Sequence, residues 1–250
     1  MEYAGRWRRW NAWRYVLHAV ERIAPEVLED LARLAPVYRE AAPQMDRPGW
    51  YIYDWESLEE AIETLEGIPS LEEALVRLRD LREALLAWAG RWNLVHPEPL
   101  SWALENLRVW AQAPDLGGKP LVYTSPMVDV PPPPPFRPPE FSPPVYGTKG
   151  GSWPEVEARL RQVFEEWLEE YRALYEEWAL PHRELWKHAH WWVAHKVKGW
   201  SLRTLAKRAR LEGLVDKEGR VLLEEASPSA IAKAIARLEE SLGIAHTPSM

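Results

Sequence analysis

A mainly α-helical chain is the fold class that this sequence predicts. It divides into an N-terminal helical bundle (residues 1–113), an extended proline-rich linker (114–152), a long acidic helix (153–180) and a C-terminal helical segment with a short hairpin insertion (181–250). Three observations lead there. Apolar residues recur at spacings of three and four through most of the first 113 residues. A run of prolines from Pro131 to Pro144 then excludes both helix and central strand. Beyond it, Leu160, Phe164, Trp167, Tyr171, Leu174 and Trp178 follow spacings of 4, 3, 4, 3, 4.

In the first part, helices are expected over about 6–23, 26–41, 57–66, 70–94 and 100–112, separated by Pro and Gly stops. Ser57 with Glu60, and Ser70 with Glu73, have capping-box spacing. Leu71, Leu75, Leu78, Leu81, Leu85, Trp88 and Trp92 form a core-facing stripe. "WYIYDW" (Trp50 to Trp55) is aromatic and β-branched, and is expected to be a short extended segment across the bundle.

The chain has 16 Trp against 3 Phe. Trp buries more area than most residues, so core and interhelix contact explains most of them. Trp7, Trp10 and Trp13 among Arg6, Arg8, Arg9 and Arg14 also suit base stacking, yet Trp7, Trp10, Leu17 and Val20 recur at helical spacing, which favours a buried stripe.

After Ala113, "LVYTSPMVDV" (Leu121 to Val130) reads as a strand that runs into "PPPPPFRPPEFSPP". That segment is expected to be polyproline II, about 40 Å long at roughly 3.1 Å per residue, and to act as a semi-rigid linker or strap rather than as a ligand for a groove-binding partner. "GTKGGS" (Gly147 to Ser152) reads as a joint, and Ser152 with Pro154 and Glu155 as the start of the acidic helix. The six-residue seam of that helix either packs within the chain or makes a homo-oligomer. Its other face carries Glu165, Glu166, Glu169, Glu170, Glu176 and Glu177.

Charge is unevenly distributed. Residues 1–180 hold 19 basic and 30 acidic side chains, net −11, whereas residues 181–250 hold 12 and 8, net +4. Seven basic residues and no acid lie between Lys187 and Arg210. Any contact with a polyanion therefore belongs to the last 70 residues.

The same stretch holds His188, His190 and His195, and their spacing of two and five does not aim two imidazoles at one ion, which takes i,i+3 or i,i+4. No metal site is expected there, and the histidines read as helix-surface or interface groups. With no cysteine, thiolate metal sites, disulfides and cysteine nucleophiles are excluded. No phosphate loop, nucleophile elbow, dinucleotide fingerprint or EF-hand loop occurs, so neither catalysis nor a cofactor is expected. No run approaches the 18 or so apolar residues of a membrane span, and "MEYAGRWRRWNAW" lacks a signal-peptide core, so the expected compartment is the cytoplasm. Three Asn, three Gln and no Cys give the composition a thermophile-like cast.

Within the last part, a helix from Glu184 to Lys198 is expected to stop at Gly199, with Ser201 capping a second helix through Arg210. Leu202, Leu205, Ala206 and Ala209 would form its buried face. "SPSAIAKAIARLEESLGI" begins with Ser227 as N-cap and Pro228 at the first helical position, ends at Gly243, and would bury Ile231, Ile235, Leu238 and Leu242.

"GWSLRTLAKRA" and "SPSAIAKAIARLEESLGI" together resemble the second and third helices of tri-helical helix-turn-helix DNA-binding domains, as in sigma factors and resolvases. The resemblance covers about the last 65 residues. The usual turn of three or four residues is replaced by residues 212–226, in which "LVDKEGRVLL" (Leu214 to Leu223) reads as a hairpin.

The resemblance implies double-stranded DNA as partner, with Ser229, Ala230, Lys233, Ala234 and Arg237 on the groove-facing side and Ser227 at the helix start. Lys196, Lys198, Arg203, Lys207, Arg208 and Arg210 would neutralise phosphates. A regulatory, partition, packaging or mobile-element accessory role suits such a protein. The alternative is a non-catalytic protein–protein interaction protein whose basic C-terminal segment docks on its own acidic helix or on a partner.

Overall fold

The computed structural model describes the backbone of residues 2–47, 50–119, 153–178, 182–212 and 226–244. The fold is mainly α. Among the described residues it comprises α1 (Glu2–Ile23), α2 (Glu26–Ala32), α3 (Ala35–Met45), α4 (Trp55–Leu65), α5 (Glu72–Trp92), α6 (Pro97–Gln112), α7 (Trp153–Trp178), α8 (His182–Trp192), α9 (Leu202–Glu212) and α10 (Pro228–Leu242). One antiparallel ladder, β1 (Asp46–Arg47) with β2 (Trp50–Tyr51), pairs Arg47 with Trp50 and Asp46 with Tyr51. The strand expected at 121–130, the polyproline segment, the 147–152 joint, the Ser152 cap and the 214–223 hairpin lie outside the described residues.

The chain forms two compact units. One contains residues 1–8 and 128–180, the other residues 9–127 and 181–250. The expected boundary between an N-terminal bundle and a separate C-terminal domain is therefore absent: residues 181–250 share a unit with the bundle. Long-range side-chain contacts are the reason. The Trp13 ring lies 4.9 Å from the His96 ring and meets Trp192 edge-on at 6.0 Å, joining α1, the start of α6 and the end of α8. Asn93 Nδ2 donates to the Lys196 carbonyl at 2.8 Å, and Lys198 pairs with Glu26 on α2.

In α1, Ala12, Trp13, Val16, Leu17, Ala19 and Val20 are buried, while Arg8, His18 and Arg22 are exposed. Such burial suits a helix with neighbours on more than one side. Trp10 and Trp13 belong to the core, not to a stacking platform.

The single helix expected over 26–41 is two helices. Pro36 lacks the amide that would bond the Ala32 carbonyl, and the chain turns at Arg33 and Leu34 through i→i−3 bonds before α3 begins. Trp50 and Tyr51 are extended, as the sequence suggested, and Ile52 behind them is fully buried with its amide on the Met45 carbonyl.

Both expected capping boxes are misplaced. The N-cap of α4 is Asp54, which accepts from the Ser57 amide at 2.8 Å, and Ser57 returns a bond to the Asp54 amide. Ser57 is thus the third helical residue of the box, because Trp55 and Glu56 already adopt helical geometry. Ser70 lies in a 3₁₀ turn (Pro69–Leu71), and Leu71 precedes α5 without a side-chain cap. The α5 stripe is buried from Leu75 through Leu78, Leu81 and Leu85 to Trp88, whose indole donates to the Val27 carbonyl at 3.1 Å.

In the other unit, the 26 residues of α7 carry the 4-3-4-3-4 seam as one unbroken helix. Phe164, Trp167 and Tyr171 form a ring ladder with centroid separations of 5.5 and 5.6 Å.

Candidate nucleic-acid interface

The basic stretch folds as α8, a π-helical turn (Val193–Val197), a four-residue connection (Lys198–Ser201) and α9. The π turn widens the end of α8: the Lys198 amide reaches the Val193 carbonyl, and the Trp200 amide the Ala194 carbonyl. Gly199 then takes φ +69°, a left-handed conformation that a side chain would strain. Ser201 Oγ accepts from the Thr204 amide at 3.0 Å and caps α9. His195 Nδ1 lies 2.7 Å from the Trp200 carbonyl and holds the connection closed.

α10 is capped as the sequence predicts. Ser227 Oγ accepts from the Ala230 amide at 3.2 Å, Pro228 opens the helix, and Gly243 closes it at φ +73°, with the Ile244 amide on the Glu239 carbonyl. α10 packs against both α8 and α9, so three helices come together. Ile231, Ile235, Leu238 and Leu242 are buried as expected. The short connection falls between α8 and α9, whereas fifteen residues (213–227) separate α9 from α10.

Ser229, Ala230, Lys233 and Arg237 share the exposed face of α10. Ala234, expected on that face, is buried. It sits next to Ile235 and one turn from Ile231 and Leu238, inside the packed stripe. On α9, Arg203, Lys207 and Arg208 are exposed while Leu205 and Ala206 are buried. The Arg208 guanidinium stacks on the Trp200 ring at 4.1 Å, which fixes the direction of a long side chain. Among the described residues no carboxylate pairs with Arg203, Lys207, Arg208, Lys233 or Arg237. The Arg210 side chain lies outside the described residues.

Lys196 and Lys198 differ. Lys196 Nζ is 2.8 Å from Glu239 on α10, and Lys198 pairs with Glu26 on α2. Burial alone would raise the Glu26 carboxyl, but the hydrogen bond and charge of Lys198 outweigh it and hold it below its ordinary value. These two lysines hold α8 and the following connection to their neighbours. Sequence reasoning missed Glu26, Glu239, Asn93 and Trp200. An acid beside the apolar stripe of α10 was the one visible sign, since Glu239 directly follows Leu238.

Of the three histidines, expected at a helix surface or an interface, His188 and His190 are interface groups and His195 is half-buried. His190 is fully buried, with Nδ1 2.7 Å from the Trp186 carbonyl and its ring 4.4 Å from the Trp186 ring, and His188 is buried beside Trp191. Both point into the packing of α8. Among the described residues no group of three potential metal ligands assembles. No described helix is long and apolar enough to cross a membrane.

No protein family, curated protein or solved structure matches the chain.

Proposed function

We propose that the protein binds double-stranded DNA through the exposed cationic faces of α9 and α10. One observation carries this reading: five cations, Arg203, Lys207, Arg208, Lys233 and Arg237, stand exposed on two mutually packed helices with no carboxylate partner among the described residues. A surface used only for solubility would mix signs, and the chain as a whole is net −7. Ser227 and Ser229 at the start of α10 add hydroxyl groups where a helix N-terminus favours phosphate. Lys233 and Arg237 are one turn apart on the α10 face, suited to guanine edges or phosphates. The α9 cations act on phosphates, positioning without specifying. A regulatory, partition, packaging or mobile-element accessory role is compatible with this mode.

A second reading has its own observation. The carboxylates of Glu239 and Glu26 neutralise Lys196 and Lys198. If the rest of the basic face serves a protein partner in the same way, duplex DNA is not the ligand.

The test is a titration of labelled duplex with the full chain from about 50 to about 200 mM salt, where five phosphate contacts give a log–log slope of about −4.5. The variant Lys207→Glu, Arg208→Glu is expected to bind at least about tenfold more weakly, with a slope flatter by about 2. Binding that is undetectable or insensitive to salt rules the DNA reading out in favour of a protein partner. Affinity unchanged by the double substitution removes α9 from the footprint.

A further inference from the structure

We propose that Trp200 is a positioning residue for Arg208, and that the two form a preset clamp for one backbone phosphate of the duplex. This inference rests on the DNA reading and specifies how one α9 cation is aimed. The Arg208 guanidinium lies 4.1 Å above the Trp200 ring, at stacking distance. Stacking covers one flat face of the guanidinium and leaves its N–H donors, which lie in its plane, directed outward. Arg208 is exposed, and those donors have no hydrogen-bond or ion-pair partner among the described residues. A phosphate accepts two such parallel donors as a fork.

Trp200 is fixed independently of Arg208. Its amide donates to the Ala194 carbonyl at 3.0 Å, and its carbonyl lies 2.7 Å from His195 Nδ1. Gly199 before it takes φ +69°, and Ser201 after it caps α9. The turn that carries it is tied down at three points: Asn93 donates to the Lys196 carbonyl, Lys196 pairs with Glu239, and Lys198 pairs with Glu26. Side chains on a helix lean toward its start, which brings the Arg208 stem back toward Trp200. Two lysines that read as phosphate ligands in the sequence therefore hold the platform instead.

The other α9 cations lack this arrangement. Arg203 and Lys207 are exposed on the same helix, with no aromatic ring beneath them among the described residues. A free long side chain loses rotamer freedom when it binds, whereas a stacked one has lost most of it beforehand. Charge and aim thus separate: each cation contributes alike to the salt slope, but Arg208 contributes more to affinity.

The test is a double-mutant cycle on the full chain, titrated with labelled duplex from about 50 to about 200 mM salt. Trp200→Leu is expected to weaken binding about two- to tenfold with the log–log slope unchanged, because the Arg208 charge remains. Arg208→Gln should flatten the slope by about 0.9, and Trp200→Leu added to it should weaken binding no further. Trp200→Phe, which keeps a flat ring, should retain most of the affinity. Arg208→Lys alters only an exposed side chain and keeps its charge, so it should match Trp200→Leu in affinity and the native chain in slope. Three results overturn the clamp: Trp200→Leu without effect, an equal loss with and without Arg208, which makes Trp200 merely structural, or Arg208→Lys at native affinity. Each of these leaves the DNA reading standing, whereas a native chain with no salt-dependent binding overturns both.

Discussion

Glu105 on α6 has one carboxylate oxygen buried and without a hydrogen-bond partner. Burial pushes its carboxyl up to about 7, against the weaker opposing charge of Arg108. A raised acid binds its proton more tightly in the folded than in the unfolded chain, so its contribution falls as pH rises from about 4.5 to about 7 and is flat above. Glu105→Gln is therefore expected to raise the melting point at pH 8, by the equivalent of about 1–2 kcal/mol once solvent screening of a partly exposed group is allowed for, and to change little at pH 4. Equal effects at both pH values would assign the gain to packing rather than ionisation. Glu26 and Asp30 have the opposite sign. Burial raises both, but Lys198 for Glu26, and Arg91 with Trp92 for Asp30, bring them below their ordinary values. Their contribution is full above the ordinary carboxylate range and is lost as pH falls through the folded value. The basic residues of 187–210 were plain in the sequence, but their division was not. Lys198 finds its acid 172 residues away and Lys196 finds its acid 43 away, and no local pattern encodes either partner.

Elements were most legible where the signal was local chemistry. Ser227, Pro228 and Gly243 marked the ends of α10, because each residue satisfies or omits a particular backbone bond. Ser227→Ala should cost about 1 kcal/mol of stability by removing the acceptor for the Ala230 amide. Gly243→Ala should cost about 1–2 kcal/mol, because φ is +73° there and an added Cβ would stand 3.1 Å from Arg9 Cδ. Denaturant unfolding measures both, and a Gly243→Ala chain of undiminished stability would show that the backbone relaxes. Elements were less legible where two rules competed. Ser57 fits the N-cap of a box with Glu60 and also the third position of a box with Asp54. Trp55, buried at the first helical position, commits the helix to the earlier start. The apolar periodicity of 26–41 runs straight through Pro36, whose missing amide divides the helix.

At the scale of the whole molecule, residues 181–250 are part of the larger unit and not an appendage. Trp192, Lys196 and Lys198 are held by Trp13, Asn93 and Glu26. A fragment of residues 181–250 is accordingly expected to lose cooperative thermal unfolding, followed by circular dichroism, because Trp192 would be left without the indole it packs against. A sharp transition in that fragment would show that α8, α9 and α10 make a sufficient core alone. The arrangement also bears on binding, since a DNA footprint on α9 and α10 would be carried by a body that includes the bundle and would inherit its net negative charge.

Periodicity, caps and charge runs are properties of neighbouring residues, so the sequence by itself determined the helical class, the stripes of α5 and α10, the seam of α7 and the location of the cationic segment. The tertiary structure decided which of those features share a unit, which cations stay exposed, and that His188 and His190 are buried packing groups. Those outcomes depend on contacts between residues tens to hundreds of positions apart, where the energy lies in burial and pairing across elements rather than in any local preference.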